Sequence, residues 1–453
     1  MADSLVTATC PLMGLGHWKE VRDFVELSHD VAKDEEEDEA KEMILAATAT
    51  GDDCNKEATN DNSRNDGEDG LAKDTKQARR EDATPTKRRR RSRRKWTRRR
   101  IPYGQHSSIQ YIDLYLPSPP SGKESESKED SDQSSSTDTI PKIPIRGTIF
   151  FVHGGAWGSG KPWMYRLISP TFLKLNFAVV IVGYRVYPNA TTIDDQVGDV
   201  LLAWEKAGDV IRKSVVRMSS VSCKTRSDAT SAGAKDNAHD EWIGNVIMGH
   251  SSGAHVAMLM LAQWIQTKLH QQRNSQSTNL SEKDIGINYP WEPNYFIGLS
   301  GPYDINDHFD YEANRGVEQI SPMKPICGHS RENFHAAGPV RRFLALFREQ
   351  SEDDSMHRRT ETISIQQLTP PILLVHGIED ATVPFTSTAD AGRILRSCGL
   401  QRCDEIYLDE TGHQDVVVHF MFGGPTKDLT LDWLFHCCRD MRNRSSSNIQ
   451  SRL

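Results

Sequence analysis

The five residues Gly249-His250-Ser251-Ser252-Gly253 match the pattern Gly-x-Ser-x-Gly. That pattern supports acyl transfer when a strand and a helix hold it in a sharp turn. A serine hydroxyl is a weak nucleophile on its own, so it needs a base beside it and a backbone that presents its oxygen. Val246-Ile247-Met248 before the motif reads as the end of a buried strand, Asn245 to Met248, and Ala254 to Leu269 after it reads as a helix. So tight a turn leaves no room for side chains two residues before and two after the nucleophile. Centred on Ser251, both positions are glycine; centred on Ser252, they are His250 and Ala254. Ser251 is therefore the expected nucleophile. The plain alternative is a glycine-rich turn that only packs a helix on a strand.

Acyl transfer also builds an oxyanion, which needs backbone N–H donors already aimed at it. His153-Gly154-Gly155-Ala156-Trp157 follows the apolar run Thr148 to Val152 directly. Its glycines allow the close backbone approach an oxyanion hole requires, so Gly154 and Gly155 are candidate donors. The amide of Ser252, at a helix N-terminus, is the third. His153 is read as a residue that holds the loop, not as a proton carrier.

A nucleophile, an acid and a histidine are expected in that chain order. Pro371 to Val375 reads as a buried strand and exits through His376-Gly-Ile-Glu379-Asp380; Asp380 is the first choice of acid and Glu379 the second. Glu405 to Leu408 reads as a strand and exits through Glu410-Thr-Gly-His413, which makes His413 the expected base. Taken singly, Asp380 could be a helix cap and His413 a surface loop residue. Among the 16 histidines, His255, His376 and His419 are read as packing or capping residues.

The elements that must position these groups alternate. Strands are predicted at Ile109 to Leu116, Thr148 to Val152, Phe177 to Val182, Asn245 to Met248, Tyr295 to Leu299, Pro371 to Val375 and Glu405 to Leu408. Helices are predicted at Asp194 to Arg212, Ala254 to Leu269, Ala389 to Ser397 and Leu429 to Arg439. This alternation implies an α/β fold with a mostly parallel central sheet flanked by helices. Only 37% of the 453 residues are hydrophobic and the mean hydropathy is -0.59, so part of the chain is expected to stay outside any core. The expected division is a largely disordered region at 1–100, a catalytic domain at 101–441 with polar insertions near 117–144 and 217–240, and a flexible tail at 442–453. Within the first region, Trp18 to Ser28 has the spacing of a short helix.

A net charge of -8 argues against a nucleic-acid role for the whole molecule. Lys87 to Arg100, with 11 basic residues of 14, is the exception. It suits a solvated linker, an import signal or contact with an anionic membrane surface. Eight cysteines show no CxxC pair and no Cys/His cluster with zinc spacing, so free thiols and no metal site are expected. No basic n-region with an apolar core opens the chain, and no stretch reaches the about 18 apolar residues of a membrane span. A soluble, intracellular protein is the expectation, cytoplasmic with peripheral membrane or nuclear placement as variants.

The motifs His-Gly-Gly-Ala-Trp, Gly-His-Ser-Ser-Gly-Ala-His and His-Gly-Ile-Glu-Asp-Ala-Thr-Val-Pro resemble the esterase branch of the α/β-hydrolases that holds prenylcysteine methylesterases and kynurenine formamidases. The stretch Gly298-Leu-Ser-Gly-Pro-Tyr-Asp304, then His308, Glu312 to Gly316 and Ser321-Pro-Met323, is similar to the isoprenylcysteine methylesterase pattern. The resemblance runs from about Tyr103 to Leu434. It implies an α/β-hydrolase fold and a cofactor-free serine carboxylesterase, with Ser251, Asp380 and His413 as catalytic triad and Gly154, Gly155 and Ser252 at the oxyanion hole. The implied substrate is the methyl ester of a prenylated cysteine. A kynurenine formamidase-like hydrolase uses the same machinery, and a non-catalytic hydrolase-fold receptor or scaffold is the third reading.

Overall fold

The computed structural model describes residues 96–118, 143–217, 242–277, 291–356 and 364–450. The Trp18 to Ser28 helix and Lys87 to Lys95 lie outside them.

Eight strands form one sheet in the order β1 (Trp96–Pro102), β2 (Tyr111–Pro117), β5 (Phe177–Gly183), β4 (Gly147–Val152), β7 (Gly244–His250), β8 (Tyr295–Leu299), β9 (Ile372–Gly377) and β10 (Cys403–Leu408). The first two pairings are antiparallel and the other five parallel. This is the expected α/β-hydrolase architecture, mostly parallel and covered on both faces.

The central strands are continuous apolar runs because each face of the sheet carries its own core. Phe150, Val152, Val180, Val182, Ile247 and Leu374 point into one core. Their neighbours Ile149, Phe151, Val179, Ile181, Val246, Met248 and Val375 point into the other. Helices α2 (Ile193–Ser214) and α3 (Ser252–Ser277) cover the first face. Helices α1 (Ser169–Leu173), α10 (Asp415–Phe422) and α11 (Pro425–Gln450) cover the second. Thr192 and Asp195 start α2 with a reciprocal capping box, which satisfies amides that the first turn leaves free.

Between β8 and β9 come α4 (Ile305–Asn314), α5 (Met323–Cys327), α6 (Arg331–Ala337), α7 (Pro339–Met356) and α8 (Ile365–Leu368); α9 (Thr386–Ser397) precedes β10. Parallel strands place their C-terminal ends on one edge, where such sheets bind ligands. The loops after β4, β7, β9 and β10 therefore converge.

Three boundaries differ from expectation. Trp96 to Arg100, expected within a disordered region, belong to edge strand β1. Asp113 on β2 is fully buried and accepts from Arg98 Nη2 at 3.0 Å and Arg100 Nε at 3.1 Å, so part of the basic tract is bound into the sheet. Ile143 and Pro144, expected in the first insertion, and Arg217, expected in the second, belong to β3 (Ile143–Ile145) and β6 (Val215–Arg217), which pair as a small parallel sheet. Finally, the expected tail after residue 441 remains helical to Gln450.

The pairing with Asp113 has a measurable consequence. The double variant Arg98→Leu/Arg100→Leu leaves a buried carboxylate without its cations, which costs about 3 kcal/mol. Urea unfolding should show that loss, and a change below about 0.5 kcal/mol would mean that β1 does not depend on the pair.

Candidate active site

Ser251 sits between β7 and α3 with a left-handed backbone, φ +56°. A non-glycine residue there is strained by about 1–2 kcal/mol, and the surroundings hold it in place: its amide donates to the carbonyl of Leu299 at 2.8 Å. Both flanking glycines are forced by space. A Cβ on Gly249 would lie 2.6 Å from the carbonyl oxygen of Gly253, and one on Gly253 would collide with the carbonyl oxygens of Val152 and His153. The elbow thus depends on β4 running beside β7.

His413, on the loop after β10, brings Nε2 to 2.9 Å from Ser251 Oγ and Nδ1 to 2.7 Å from Asp380 Oδ2. A carboxylate only accepts, so Nδ1 carries the proton and Nε2 is left bare toward the serine hydroxyl. Asp380, on the loop after β9, also accepts from the amides of Thr382 at 2.8 Å and Val383 at 2.9 Å. His376 Nε2 is 3.2 Å from its Oδ2 and donates to the Val383 carbonyl at 2.9 Å. Burial alone would push the Asp380 carboxyl up. The hydrogen bonds from His376 and His413, and that from the Val383 amide, outweigh it and hold the group well below the usual carboxylate range. Glu379, the second choice of acid, is exposed.

The loop after β4 lies over this array. Gly155, Ala156 and Trp157 all have positive φ, at +139°, +48° and +58°, and buried anchors hold that course. Trp157 Nε1 donates to His255 Nδ1 at 3.1 Å, and its carbonyl accepts from Gln196 Nε2 and the Tyr187 amide, each at 2.9 Å. Because His255 accepts at Nδ1, its Nε2 donates to the Ala337 carbonyl at 2.9 Å. Burial lowers its pKa to about 3, so it is a neutral brace. His153, pushed by burial to about 4, bonds through Nδ1 to the Gly154 carbonyl at 3.0 Å. These are structural roles.

Of the three expected oxyanion donors, one is already occupied. The Gly154 amide donates to Tyr165 Oη at 3.2 Å. Its Cα nevertheless passes so near the nucleophile that a Cβ there would lie 3.0 Å from Ser251 Cβ. The amides of Gly155 and Ser252 have no protein acceptor among the described residues.

Sequence reasoning missed α4, which spans the two loops flanking Ser251. Tyr311 Oη donates to the Ala381 carbonyl at 3.0 Å, beside the acid, while the His308 ring lies 5.9 Å from that of Trp157. Glu312 accepts from Ser321 Oγ at 2.9 Å, and Pro322 abuts Gly158. The residue string at 300–323 is thus the wall of the site next to the oxyanion loop. A cavity of about 320 Å³ beside the acid loop, between Tyr311, Pro384 and Asp390, includes none of Ser251, Asp380 or His413.

Sheet, elbow and the hydrogen-bonded Ser251, His413 and Asp380 together form an α/β-hydrolase fold. The chain is distantly related to isoprenylcysteine alpha-carbonyl methylesterases. It is 25% identical to the probable enzyme of that name from Oryza sativa subsp. japonica over 298 residues, 65% of this chain and 58% of that protein. It is 22% identical to the Arabidopsis thaliana enzyme over 335 residues, 74% of this chain and 60% of that protein. The match therefore spans less than two thirds of either relative's length. No family model matches the chain. Among solved structures, esterase B from Lactobacillus rhamnosis superposes with a TM-score of 0.44 at 12% identity, covering 78% of this chain and 88% of that one. A truncated carbohydrate esterase from gut microbiota gives 0.44 at 16% identity, covering 76% and 96%. Among the described residues, no helix is long and apolar enough to cross a membrane.

Proposed function

We propose that the chain is a serine carboxylesterase that cleaves the methyl ester of a prenylated cysteine through an acyl-enzyme. The observation that carries the esterase part is the continuous chain from Ser251 Oγ through His413 to Asp380, at 2.9 and 2.7 Å. Ser251 Oγ attacks the ester carbonyl while its proton passes to His413 Nε2. The resulting oxyanion faces the amides of Gly155 and Ser252, the latter at the positive end of α3. Collapse of the intermediate breaks the C–O bond, and the imidazolium returns the proton to the leaving methoxide oxygen, giving methanol. Water then repeats the sequence on the acyl-enzyme, its proton going to His413 and on to Ser251 Oγ as the free acid leaves. Asp380, ionised throughout, holds the ring in the tautomer that each step needs.

The prenylcysteine part is supported by the distant relatives and by the surface around the site. Trp163 (41% exposed), Met164 (46%), Ile320 (82%) and Ile378 (42%) all stand on connections leaving the C-terminal ends of β4, β8 and β9. Apolar side chains exposed on these connections suit an ester carrying a long apolar chain.

Purified protein assayed on a farnesylcysteine methyl ester, p-nitrophenyl acetate and N-formylkynurenine tests the proposal. The expected order in kcat/KM places the farnesylcysteine ester first by at least about tenfold, an energy of about 1.4 kcal/mol that a few buried methylenes supply. Preference for N-formylkynurenine would replace the methylesterase reading with a formamidase one.

A further inference from the structure

Beneath the triad, three hydrogen bonds join four polar groups into a single line. We infer that Tyr165 and His250 are positioning residues that tie the oxyanion loop to the backbone of the catalytic base. This inference rests on the roles proposed above for Ser251 and His413.

The direction of the line follows from what each atom can do. His250, the last residue of β7, is buried, with its ring centroid 4.9 Å from that of His413. Its Nε2 is 2.9 Å from the backbone carbonyl of His413. A carbonyl can only accept, so Nε2 carries the hydrogen. Burial, reinforced by His413, pushes the ring's pKa down to about 3, so it stays neutral and Nδ1 is bare. Tyr165 Oη, 3.1 Å from Nδ1, supplies the matching proton. With its proton committed, the hydroxyl accepts from the Gly154 amide at 3.2 Å. The line therefore runs one way, from the Gly154 N–H through Tyr165 and His250 to the His413 carbonyl.

The two ends of the line are the two pieces of backbone that must hold their distance from Ser251. Without the Tyr165 hydroxyl, the bare Nδ1 of His250 loses its donor, and the bond to the His413 carbonyl is left alone to hold the Nε2–H tautomer. The other tautomer would set a lone pair against the His413 carbonyl, and that loop would shift. At the opposite end, Gly154 would lose the contact that sets the height of its loop above the nucleophile. A shift of about 1 Å in a reacting group lowers turnover by up to about 100-fold with little effect on binding. The arrangement gives His250, the variable residue of the Gly-x-Ser-x-Gly motif, a role in catalysis without contact to substrate.

The test uses the full chain on p-nitrophenyl acetate, with active sites counted by titration with a phosphonate ester. Tyr165→Phe, which removes one oxygen, should lower kcat per titrated site by about 10- to 100-fold and leave KM within about twofold. His250→Gln, which keeps an N–H near the position of Nε2, should retain about tenfold more turnover than His250→Leu. Adding Tyr165→Phe to His250→Leu should cost nothing further, because the line is already broken. A Tyr165→Phe enzyme with unchanged or higher kcat would overturn the inference, as would equal damage from the glutamine and leucine variants or additive losses in the double variant. A wild-type protein without Ser251-dependent turnover would instead fail the hydrolase reading, and this inference with it.

Discussion

Replacing Ser251 with alanine should lower turnover of p-nitrophenyl acetate by about 10⁵- to 10⁶-fold. The size of the effect follows from the site's construction. His413 Nε2 is bare and lies 2.9 Å from Ser251 Oγ, and the strained elbow holds that serine against the loop after β4, where a Cβ on Gly154 would lie 3.0 Å from Ser251 Cβ. Without the oxygen no acyl-enzyme forms, and only the oxyanion donors and substrate positioning remain. The neighbouring serine is the control. Ser252 Oγ is buried without a partner among the described residues, and the proposed contribution of this residue is its backbone amide. Ser252→Ala should therefore stay within about threefold of wild type, since the amide survives the substitution. Steady-state assays on both variants check the pair. Comparable losses in the two would mean that the elbow fails as a unit, not that one oxygen acts.

Asp380→Asn should lower kcat by about 10⁴-fold in a protein that remains folded. The amide can present an N–H to His413 Nδ1, which then turns its proton toward Ser251 and cannot act as a base. Glu379→Gln should change turnover by less than about twofold, because that side chain is exposed. The same carboxylate contributes to stability in a known direction. Its pKa in the folded protein lies below the ordinary 3.8. The contribution is therefore complete at neutral pH and is lost as pH falls below about 4. The stability gap between wild type and Asp380→Asn, followed by urea unfolding, should be widest near pH 7 and narrow on acidification. A gap that widens toward acid would mean that the carboxyl is raised in the fold, and that burial dominates over the bonds from His376 and His413.

The candidate site is legible in the sequence where its chemistry is local. Gly249 and Gly253 mark the elbow because sterics allow nothing else, and Ser251, Asp380 and His413 each follow a short apolar strand in the required order. The central strands are equally legible, since residues buried on both faces leave unbroken apolar runs. What stays hidden depends on partners distant in the chain. Strand β1 reads as the end of a charge run until Asp113 is seen between Arg98 and Arg100. Helix α4 is short, with Asp307, Asp310 and Glu312 interrupting its apolar spacing, so it reads as a loop although it walls the site. Residue type marks Gly154 as an oxyanion donor, but nothing nearby shows that Tyr165, eleven residues on, already occupies its amide. His250 fills a motif position open to any residue, and only the fold reveals that its ring reaches the His413 carbonyl.

Locating the nucleophile chemically tests the proposed role of Ser251 most directly. The protein, treated with a fluorophosphonate ester until p-nitrophenyl acetate hydrolysis stops, should carry one phosphonyl group per chain. Peptide mapping by mass spectrometry should place that group on Ser251, with its extent rising in step with the loss of activity and no adduct on Ser252. An adduct on any other residue, or full hydrolytic activity in protein phosphonylated at Ser251, would contradict the assignment of Ser251, His413 and Asp380 as the working triad.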